Sequence, residues 1–320
     1  MLAAQITGPR RLEMIDVPVP DPGEGQILVK LETGAICGSD LPFFLLERSH
    51  PSVMDKPVPL PPLLSLHEIV GRVAKSRCDR FQEGDRVLSL PYTHLGLGQF
   101  YLSEPAFTVP IPDGPSEQLV LAQPLGTVVH ACLKLPNVLG QTAVIVGQGP
   151  IGQLFTALLR QMGVLRIIAA DLLPERLEAA KKMGATHTVC GETAEVAEVV
   201  REVTGGVGAD VAVEAVGKVE TLNEAAALVR RNGTLLAFGV PHRTHYDFAF
   251  RDFFFNEGRL INSIGPNVQH DFPIAVELIA SGAIDVRPLV THSFPLEQAQ
   301  EGFTLFADRR DGAIKVMLRG

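Results

Sequence analysis

The amino-acid sequence predicts an α/β protein of two domains, a β-rich first part followed by a parallel, doubly wound sheet. Residues 1–125 contain short β-type runs separated by glycine and proline, which is typical of an irregular all-β domain. From residue 142 onward, apolar runs alternate with amphipathic stretches, the pattern of a parallel sheet covered by helices on both faces. A length of 320 residues is enough for two such domains.

The strands of the first part are indicated by apolar clusters or alternation over residues 26–33, 68–73 and 85–90. Breakers such as the Glu-Gly-Asp sequence at 83–85 separate these runs and predict turns. Because the strands are short and the turns frequent, we expect them to close into a small barrel.

The second part repeats a strand followed by a helix. Helices are expected to begin near Pro150 and near Pro174. Strands are predicted over residues 142–146, 165–170, 186–190, 210–216 and 233–240. This order predicts parallel strands joined by helical crossovers.

Charge and cysteine content exclude several classes of protein. The net charge is −8, from 28 basic and 36 acidic residues without a basic run, which argues against nucleic-acid binding. The start of the chain lacks the features of a secretory signal, and no apolar stretch approaches the ~20 residues that span a bilayer. The four cysteines lack the spacing of a disulfide framework, so a cytoplasmic location is expected.

A glycine-rich turn at residues 147–152 predicts a dinucleotide site. Gly147, Gly149 and Gly152 follow a predicted strand, and Pro150 and Ile151 open the next helix. The first glycine permits a tight turn, the second lets a pyrophosphate approach, and the third allows close packing of helix and strand. Free N–H groups at the helix start then bind the phosphates.

An acidic residue at the end of the next strand supports this site. Asp171 follows Gly152 by about 20 residues, where a carboxylate accepts hydrogen bonds from ribose hydroxyls. The carboxylate repels a 2′-phosphate, so NAD is expected rather than NADP. Arg176 is a further candidate for the cofactor site, although its spacing favours the helix surface. The alternative is a glycine turn without a ligand, in which Asp171 only caps a helix.

Cys37 and the pair His67-Glu68 are candidates for part of a metal site. Catalytic zinc takes three protein ligands and keeps an open position, and thiolate and imidazole are suitable ligand types. Glu68 either binds the metal directly or orients other ligands from outside. Each piece alone has a simpler interpretation, Cys37 as a buried structural thiol and His67-Glu68 as a turn before a strand.

In this combination the chain resembles the zinc-dependent medium-chain alcohol and polyol dehydrogenases. The resemblance implies a GroES-like β-barrel catalytic domain, residues 1–125 completed by 265–320. It also implies a Rossmann NAD-binding domain, residues 126–264, with the active site in the cleft between the domains. The matching segments are 26–30, 34–40, 67–71, 83–87, 109–114, 121–125, 147–152, 208–211, 232–240 and 312–316.

The resemblance also implies roles for individual residues. Cys37 and His67 correspond to zinc ligands, and Glu68 lies at or beside the metal. Gln123 occupies the third-ligand position, where polyol dehydrogenases usually carry Glu. Ser39 matches the hydroxyl that relays the substrate proton. The lobe that holds a structural zinc through four cysteines is missing, so one catalytic Zn²⁺ is expected.

The sequence also makes predictions about residues near these motifs. Leu66 stands where the family has glycine, so a positive φ there would strain the backbone. Phe43, Phe44, Tyr92 and Thr93 either line the substrate pocket or belong to the barrel core.

The expected function is NAD-dependent oxidation of a secondary alcohol, or reduction of its ketone, with a polyol- or sugar-like substrate. Two alternatives stay open. One is a zinc-free NAD(P)-dependent carbonyl or alkene reductase, which Leu66 and Gln123 favour, and the other is a non-catalytic nucleotide-binding relative. Residues 235–240 match the family's dimer-forming sheet edge, so a homodimer or homotetramer is expected.

Overall fold

The computed structural model describes residues 1–241 and 243–320, without the side chain of Tyr92. The described residues form two compact units. The first contains Met1–Gly126, Asn267–Gly282 and Val290–Gly320, and the second contains Thr127–Pro266 and Ala283–Leu289. Residues 283–289, which the sequence analysis assigns to the first domain, therefore lie with the second unit.

Strands dominate the first unit, whereas strands alternate with helices in the second. The strands are β1 (Leu2–Gly8), β2 (Arg11–Asp16), β3 (Ile27–Ala35), β4 (Glu68–Ser76), β5 (Arg86–Ser89), β6 (Phe100–Ser103), β7 (Thr108–Pro110), β8 (Thr142–Val146), β9 (Arg166–Asp171), β10 (His187–Cys190), β11 (Ala209–Glu214), β12 (Val229–Ala237), β13 (Arg259–Asn262), β14 (Val290–Pro295) and β15 (Lys315–Arg319). The helices are α1 (Leu41–Phe44), α2 (Ser116–Leu119), α3 (Ala122–Cys132), α4 (Pro150–Gln161), α5 (Pro174–Lys182), α6 (Thr193–Thr204), α7 (Val219–Leu228), α8 (Phe250–Phe255), α9 (Val268–Ala280) and α10 (Ala299–Asp308).

The main sheet of the first unit is arranged around β3. Its strand order is β14-β15-β3-β4-β5-β7, and β6 also pairs with β3. All of these pairs are antiparallel except β14 with β15. The register between β3 and β4 shifts twice, and such bulges bend a strand and increase its twist. The predicted β-rich domain is confirmed.

The C-terminal residues complete the first unit. Strand β15 pairs with β3, so that Met317 lies opposite Ala35. The fully buried rings of Phe44 and Phe303 pack with their centroids 5.3 Å apart, which joins α1 to α10 in one apolar core. The burial of these two aromatic side chains stabilises the unit through the loss of apolar surface from water.

The second unit is a parallel sheet in the order β10-β9-β8-β11-β12-β13. Every residue of β8 is buried, as expected of a central strand with helices on both faces. The strand order reverses between β8 and β11, and ligands of such sheets bind outside the carboxyl ends of the strands at this point. The predicted doubly wound sheet is confirmed.

The sheet edge differs from the one expected. Strand β12 lies between β11 and β13, so residues 235–237 are inside the sheet and not at its edge. In the described sheet, β13 is the edge strand on this side. The expectation was wrong because a short strand, Arg259–Asn262, adds outside β12 and its few residues carry little sequence signal.

Leu66 is not strained. Its φ is not positive, whereas Leu63 has a φ of 69°. The Leu66 side chain is fully buried, and a Cβ atom placed on Gly34 would lie 2.4 Å from its Cδ2 atom. Gly34 on β3 therefore provides the space that Leu66 occupies, and the expected strain is wrong.

Replacing Leu66 by glycine tests this packing. We expect Leu66→Gly to lower the free energy of unfolding by roughly 2–5 kcal/mol, because it leaves a cavity above Gly34. Leu63→Gly is the matched control, and its cost should be smaller because glycine adopts a positive φ without strain. Urea unfolding of both variants measures the difference. An unchanged or increased stability of Leu66→Gly would contradict the packing role.

Candidate metal centre and dinucleotide site

The segment after β3 folds into a tight turn that a carboxylate closes. Gly38–Asp40 forms a single 3-10 turn directly after Cys37. The main-chain N–H of Cys37 donates to Asp40 Oδ2 at 2.8 Å, and the main-chain N–H of Asp40 donates to the Cys37 carbonyl at 3.1 Å. This reciprocal pair of bonds fixes Cys37 at the end of β3.

The same carboxylate orients His67. Asp40 is 1% exposed, and its Oδ1 atom lies 3.0 Å from His67 Nδ1. When the carboxylate is ionised, Nδ1 carries the proton and Nε2 of the neutral ring keeps a lone pair. Acidic neighbours orient metal-binding histidines in this manner. Sequence reasoning missed the role of Asp40, although its place three residues after Cys37 is a capping signal.

Cys37, His67 and Glu68 bring their potential ligand atoms within 4.8 Å of one another. Glu68 Oε1 is buried and has no hydrogen-bond partner among the described residues. An unpaired buried carboxylate oxygen is costly, and a cation would remove that cost. Thiolate, imidazole and carboxylate are all zinc ligand types, so these residues fit a zinc ion.

A buried lysine holds the other oxygen of Glu68. Lys315 is 1% exposed and donates to Glu68 Oε2 at 2.5 Å and to the Ile36 carbonyl at 3.1 Å. The ion pair offsets the cost of burying the Glu68 charge. Sequence reasoning missed Lys315, and the available signal was a single cation within the apolar run at 313–318.

Ser39 lies beside the ligand atoms. Its Oγ donates to Cys37 Sγ at 3.2 Å and lies 3.4 Å from His67 Nε2. The residue is exposed, so a substrate can approach its hydroxyl. Gln123 is buried near the start of α3, and its role as a ligand stays a prediction.

Two histidine rings lie together at this centre. The ring centroids of His67 and His94 are 4.8 Å apart. Burial lowers the pKa of His67, but the charge and hydrogen bonds of Asp40 and Cys37 outweigh it and raise that pKa well above its ordinary value. Burial, and then the neighbouring His67, lower the pKa of His94. A proton and a metal ion therefore compete for His67.

A cavity of about 470 Å³ lies beside His94. Phe43 and Thr93 line it, whereas Phe44 is fully buried in the core, and the side chain of Tyr92 lies outside the described residues. The complete lining is Phe43, Pro51, Ser52, Asp55, Lys56, Leu64, Thr93 and His94. This mixture of apolar and polar side chains suits a small hydroxylated molecule.

The turn between β8 and α4 has the geometry expected of the glycines. Gly147 has a φ of 92°. A Cβ atom on Gly152 would lie 1.8 Å from the Gly147 carbonyl oxygen, so only glycine fits there. A Cβ atom on Gly149 would have its nearest described neighbour 4.0 Å away, which leaves room for a ligand. Pro150 and Ile151 form the first turn of α4, whose free N–H groups suit a phosphate.

Asp171 is the last residue of β9 and accepts two main-chain N–H groups. The N–H of Gln148 donates to Asp171 Oδ2 at 2.7 Å, and the N–H of Leu173 donates to Asp171 Oδ1 at 2.9 Å. Arg176 Nη1 lies 3.4 Å from Asp171 Oδ2, and the Arg176 side chain is only 16% exposed. The expectation that Arg176 lies on the helix surface is therefore wrong, since its charge turns toward Asp171.

Comparisons with known proteins cover both units. The zinc-binding dehydrogenase family matches residues 150–281, and the alcohol dehydrogenase GroES-like domain matches residues 23–103. Sorbitol dehydrogenase of Bacillus subtilis is 31% identical, over 99% of this chain and 97% of that protein. L-threonine 3-dehydrogenase of Chromobacterium violaceum is 30% identical over 95% of each chain. The solved structure of alcohol dehydrogenase TADH from Thermus sp. ATN1 is 25% identical, with a TM-score of 0.86 over 100% of this chain and 99% of that one.

The fold and the sites define an oxidoreductase with a GroES-like domain and a Rossmann-type sheet. The chain belongs to the zinc-dependent medium-chain dehydrogenase family. Across residues 1–241 and 243–320, the helices are all too short or too polar to cross a membrane.

Asp40→Asn tests the carboxylate that orients the ligands. Asparagine has a single acceptor oxygen and no charge, so it cannot serve both Cys37 and His67. We expect metal affinity to fall about 10- to 100-fold, measured by competition with a chelator. Asp113→Asn is the control, since the Asp113 side chain is 99% exposed. Equal affinities in the two variants would refute the role of Asp40.

Proposed function

We propose that the protein is an NAD-dependent zinc oxidoreductase that interconverts a secondary alcohol and its ketone, with a polyol- or sugar-like substrate. The observation that carries this proposal is the cluster formed by the half-buried Cys37 and the buried His67 and Glu68. One oxygen of Glu68 has no partner in the described part of the chain, as expected of a metal ligand.

One zinc ion would be held by Cys37, His67 and Glu68, with Gln123 as the candidate for a further ligand. When bound, zinc supplies a Lewis acid that polarises the substrate oxygen and lowers the pKa of an alcohol. A neutral Gln123 adds no negative charge to the centre, which favours binding of an alkoxide.

The buried charges of Asp40 and Lys315 orient His67 and Glu68 for binding a metal. Asp40 holds the proton of His67 on Nδ1 and leaves Nε2 to bind a metal. Lys315 occupies Glu68 Oε2, so Oε1 is the oxygen left for the metal. Both contacts are made by residues of the chain itself, and support of this kind orients metal ligands.

Ser39 is the proposed acceptor of the substrate proton. Its exposed hydroxyl lies within 3.4 Å of both Cys37 Sγ and His67 Nε2. A substrate oxygen bound at this centre would lie within hydrogen-bond reach of the hydroxyl. The Ser39 hydroxyl can then take this proton from the alcohol as it passes its own proton on to solvent.

The second unit is proposed to bind NAD. The N–H groups at the start of α4 and the open space at Gly149 suit the pyrophosphate. Asp171 has lone pairs left to accept the ribose hydroxyls, and its charge disfavours a 2′-phosphate. When bound, NAD supplies the hydride acceptor.

The polyol- or sugar-like substrate is supported by the cavity beside His94. Ser52 and Thr93 offer hydroxyls there, and Asp55 and Lys56 offer an acceptor and a donor, which together suit a chain of hydroxyl groups. The similarity to sorbitol dehydrogenase of Bacillus subtilis supports the same choice.

Cys37→Ala tests the proposed function. Wild-type protein should contain one zinc ion per chain and should oxidise one or more of a panel of polyols, sugars and secondary alcohols with NAD in preference to NADP. Cys37→Ala should lose the zinc and reduce kcat/KM at least about 10³-fold, because the Lewis acid is gone. Its affinity for NADH, measured by fluorescence titration, should stay within about twofold.

Cys78→Ala is the matched control, since Cys78 is a half-buried free thiol that does not belong to the cluster. It should keep both zinc and turnover. Turnover by zinc-free wild-type protein would instead identify a metal-independent reductase. A wild-type protein that does not bind NADH would contradict the proposal altogether.

We propose a homodimer or homotetramer formed through the edge of the parallel sheet. Strand β13 pairs only with β12 in the described sheet, and unpaired edges favour association. Beside it lies a hollow of about 640 Å³ with a mainly aromatic lining, to which Arg231 and Glu257 also contribute. Three of its rings, Phe250, Phe254 and Phe255, are 63%, 62% and 65% exposed. Exposed aromatic patches of this kind mark interfaces.

Phe254→Asp tests this assembly. A carboxylate at this position should weaken association at least about tenfold, because it must lose its hydration where the aromatic ring buried apolar surface. Sedimentation velocity at several concentrations measures the effect, and Val207→Asp, at a 65% exposed valine outside the hollow, is the control. A wild-type protein that sediments as a monomer at all concentrations would contradict the proposal.

A further inference from the structure

Three polar side chains are fully buried beneath the glycine turn of the second unit. Gln148 belongs to the turn, Gln153 and Thr156 lie on α4, and each is 0% exposed. A buried amide or hydroxyl loses its hydrogen bonds to water and must find partners in the protein. The partners of these three side chains therefore indicate what they hold in place.

Gln153 joins two segments that are separated in sequence. Its Nε2 atom donates to the Gln148 carbonyl at 3.1 Å and to the Arg176 carbonyl at 2.6 Å. Gln148 lies in the turn next to Gly149, and Arg176 lies in the first turn of α5, shortly after Asp171. One amide group thus connects the proposed pyrophosphate turn with the segment proposed to hold the ribose.

Gln148 is itself fixed by its neighbours. Its main-chain N–H donates to Asp171 Oδ2 at 2.7 Å, and its side-chain Nε2 donates to the Ile145 carbonyl at 3.4 Å. Thr156 Oγ1 donates to Gln148 Oε1 at 3.1 Å. Because β8, β9 and α4 supply these contacts, the position of Gln148 is well fixed, and Gln153 ties the main chain of Arg176 to it.

Two more polar atoms at this junction are buried without a partner in the described chain, Gln153 Oε1 and Arg176 Nε. The guanidinium reaches Asp171 only through Nη1, at 3.4 Å. The Gln153 bond to the Arg176 carbonyl is shorter, so the main-chain bond holds this residue more firmly than the ion pair does.

We propose that Gln153 is a positioning residue for the dinucleotide. It fixes the Asp171–Arg176 segment relative to the glycine turn and thereby sets both the affinity for the dinucleotide and the preference for a 2′-hydroxyl over a 2′-phosphate. This inference rests on the proposed dinucleotide function. Without the amide, the Arg176 carbonyl loses its bond to Gln153 and the start of α5 shifts, so Asp171 is tied to the turn by the Gln148 N–H alone and its position at the ribose is less well fixed.

Gln153→Met tests the proposal, since methionine keeps the volume and removes both hydrogen bonds. Fluorescence titration with NADH and NADPH should show that the Kd for NADH rises about tenfold while the Kd for NADPH changes less. The ratio of the two dissociation constants, and with it the preference for NADH over NADPH, should therefore become smaller. In turnover, the KM for NAD should rise while kcat at saturating NAD stays within about twofold.

Gln141→Met is the matched control. Gln141 also donates through Nε2 to a main-chain carbonyl, that of Asn137 at 2.9 Å, and its Oε1 is also buried without a partner in the described residues. It precedes β8 and does not touch the glycine turn. Gln141→Met should therefore leave both dissociation constants within about twofold of the wild-type values.

Gln153→Glu is the second variant, because a carboxylate keeps the shape of the side chain and cannot donate to the two carbonyls. Both Gln153 variants are titrated well below their melting temperatures, so that a loss of stability is not counted as a loss of affinity. If both folded variants bind NADH and NADPH with wild-type Kd values, the inference about Gln153 is overturned, but the proposed function is not. Wild-type protein that binds neither dinucleotide would overturn the proposed function and this inference with it.

Discussion

The carboxylate of Asp40 is the contact on which the candidate metal centre depends. One of its oxygens accepts the main-chain N–H of Cys37, and the other accepts Nδ1–H of His67. These two bonds offset the cost of burying the Asp40 charge. They also orient the thiol of Cys37 and the imidazole of His67 toward the same point. Ser39 belongs to the same turn, so the proposed proton acceptor is placed by the same interaction.

A second buried charge connects this centre to the end of the chain. Lys315 on β15 reaches both Glu68 on β4 and the carbonyl of Ile36, the residue before Cys37. The sheet brings β15 beside β3, which carries Lys315 to residues about 250 positions earlier. The carboxylate of Glu68 therefore has its partner only after the last strand has joined the sheet, and until then its burial would be costly.

The proposed dinucleotide site differs from the candidate metal centre, because all of its residues come from one short stretch of the sequence. The glycine turn, α4, β9 and the start of α5 all lie between residues 142 and 182. The φ of Gly147 and the contact between Gly152 and the Gly147 carbonyl are local constraints, and a single strand-turn-helix unit satisfies them. For this reason the positions of the glycines and of Asp171 could be predicted before the fold was known.

The sequence by itself determined the fold class, the alternation of strands and helices in the second part and the glycine turn, and it named the candidate metal ligands. The alternation and the glycine turn follow from periodicity and from backbone constraints that act within a few residues, whereas the roles of the candidate ligands came from the resemblance to a family. Only the tertiary structure decided that Gly34 makes room for Leu66, that Arg176 turns toward Asp171, and that Lys315 pairs with Glu68. Each of these outcomes depends on which distant group becomes the neighbour of a side chain, and the free energy of a buried charge or a packed methyl group is set by that neighbour.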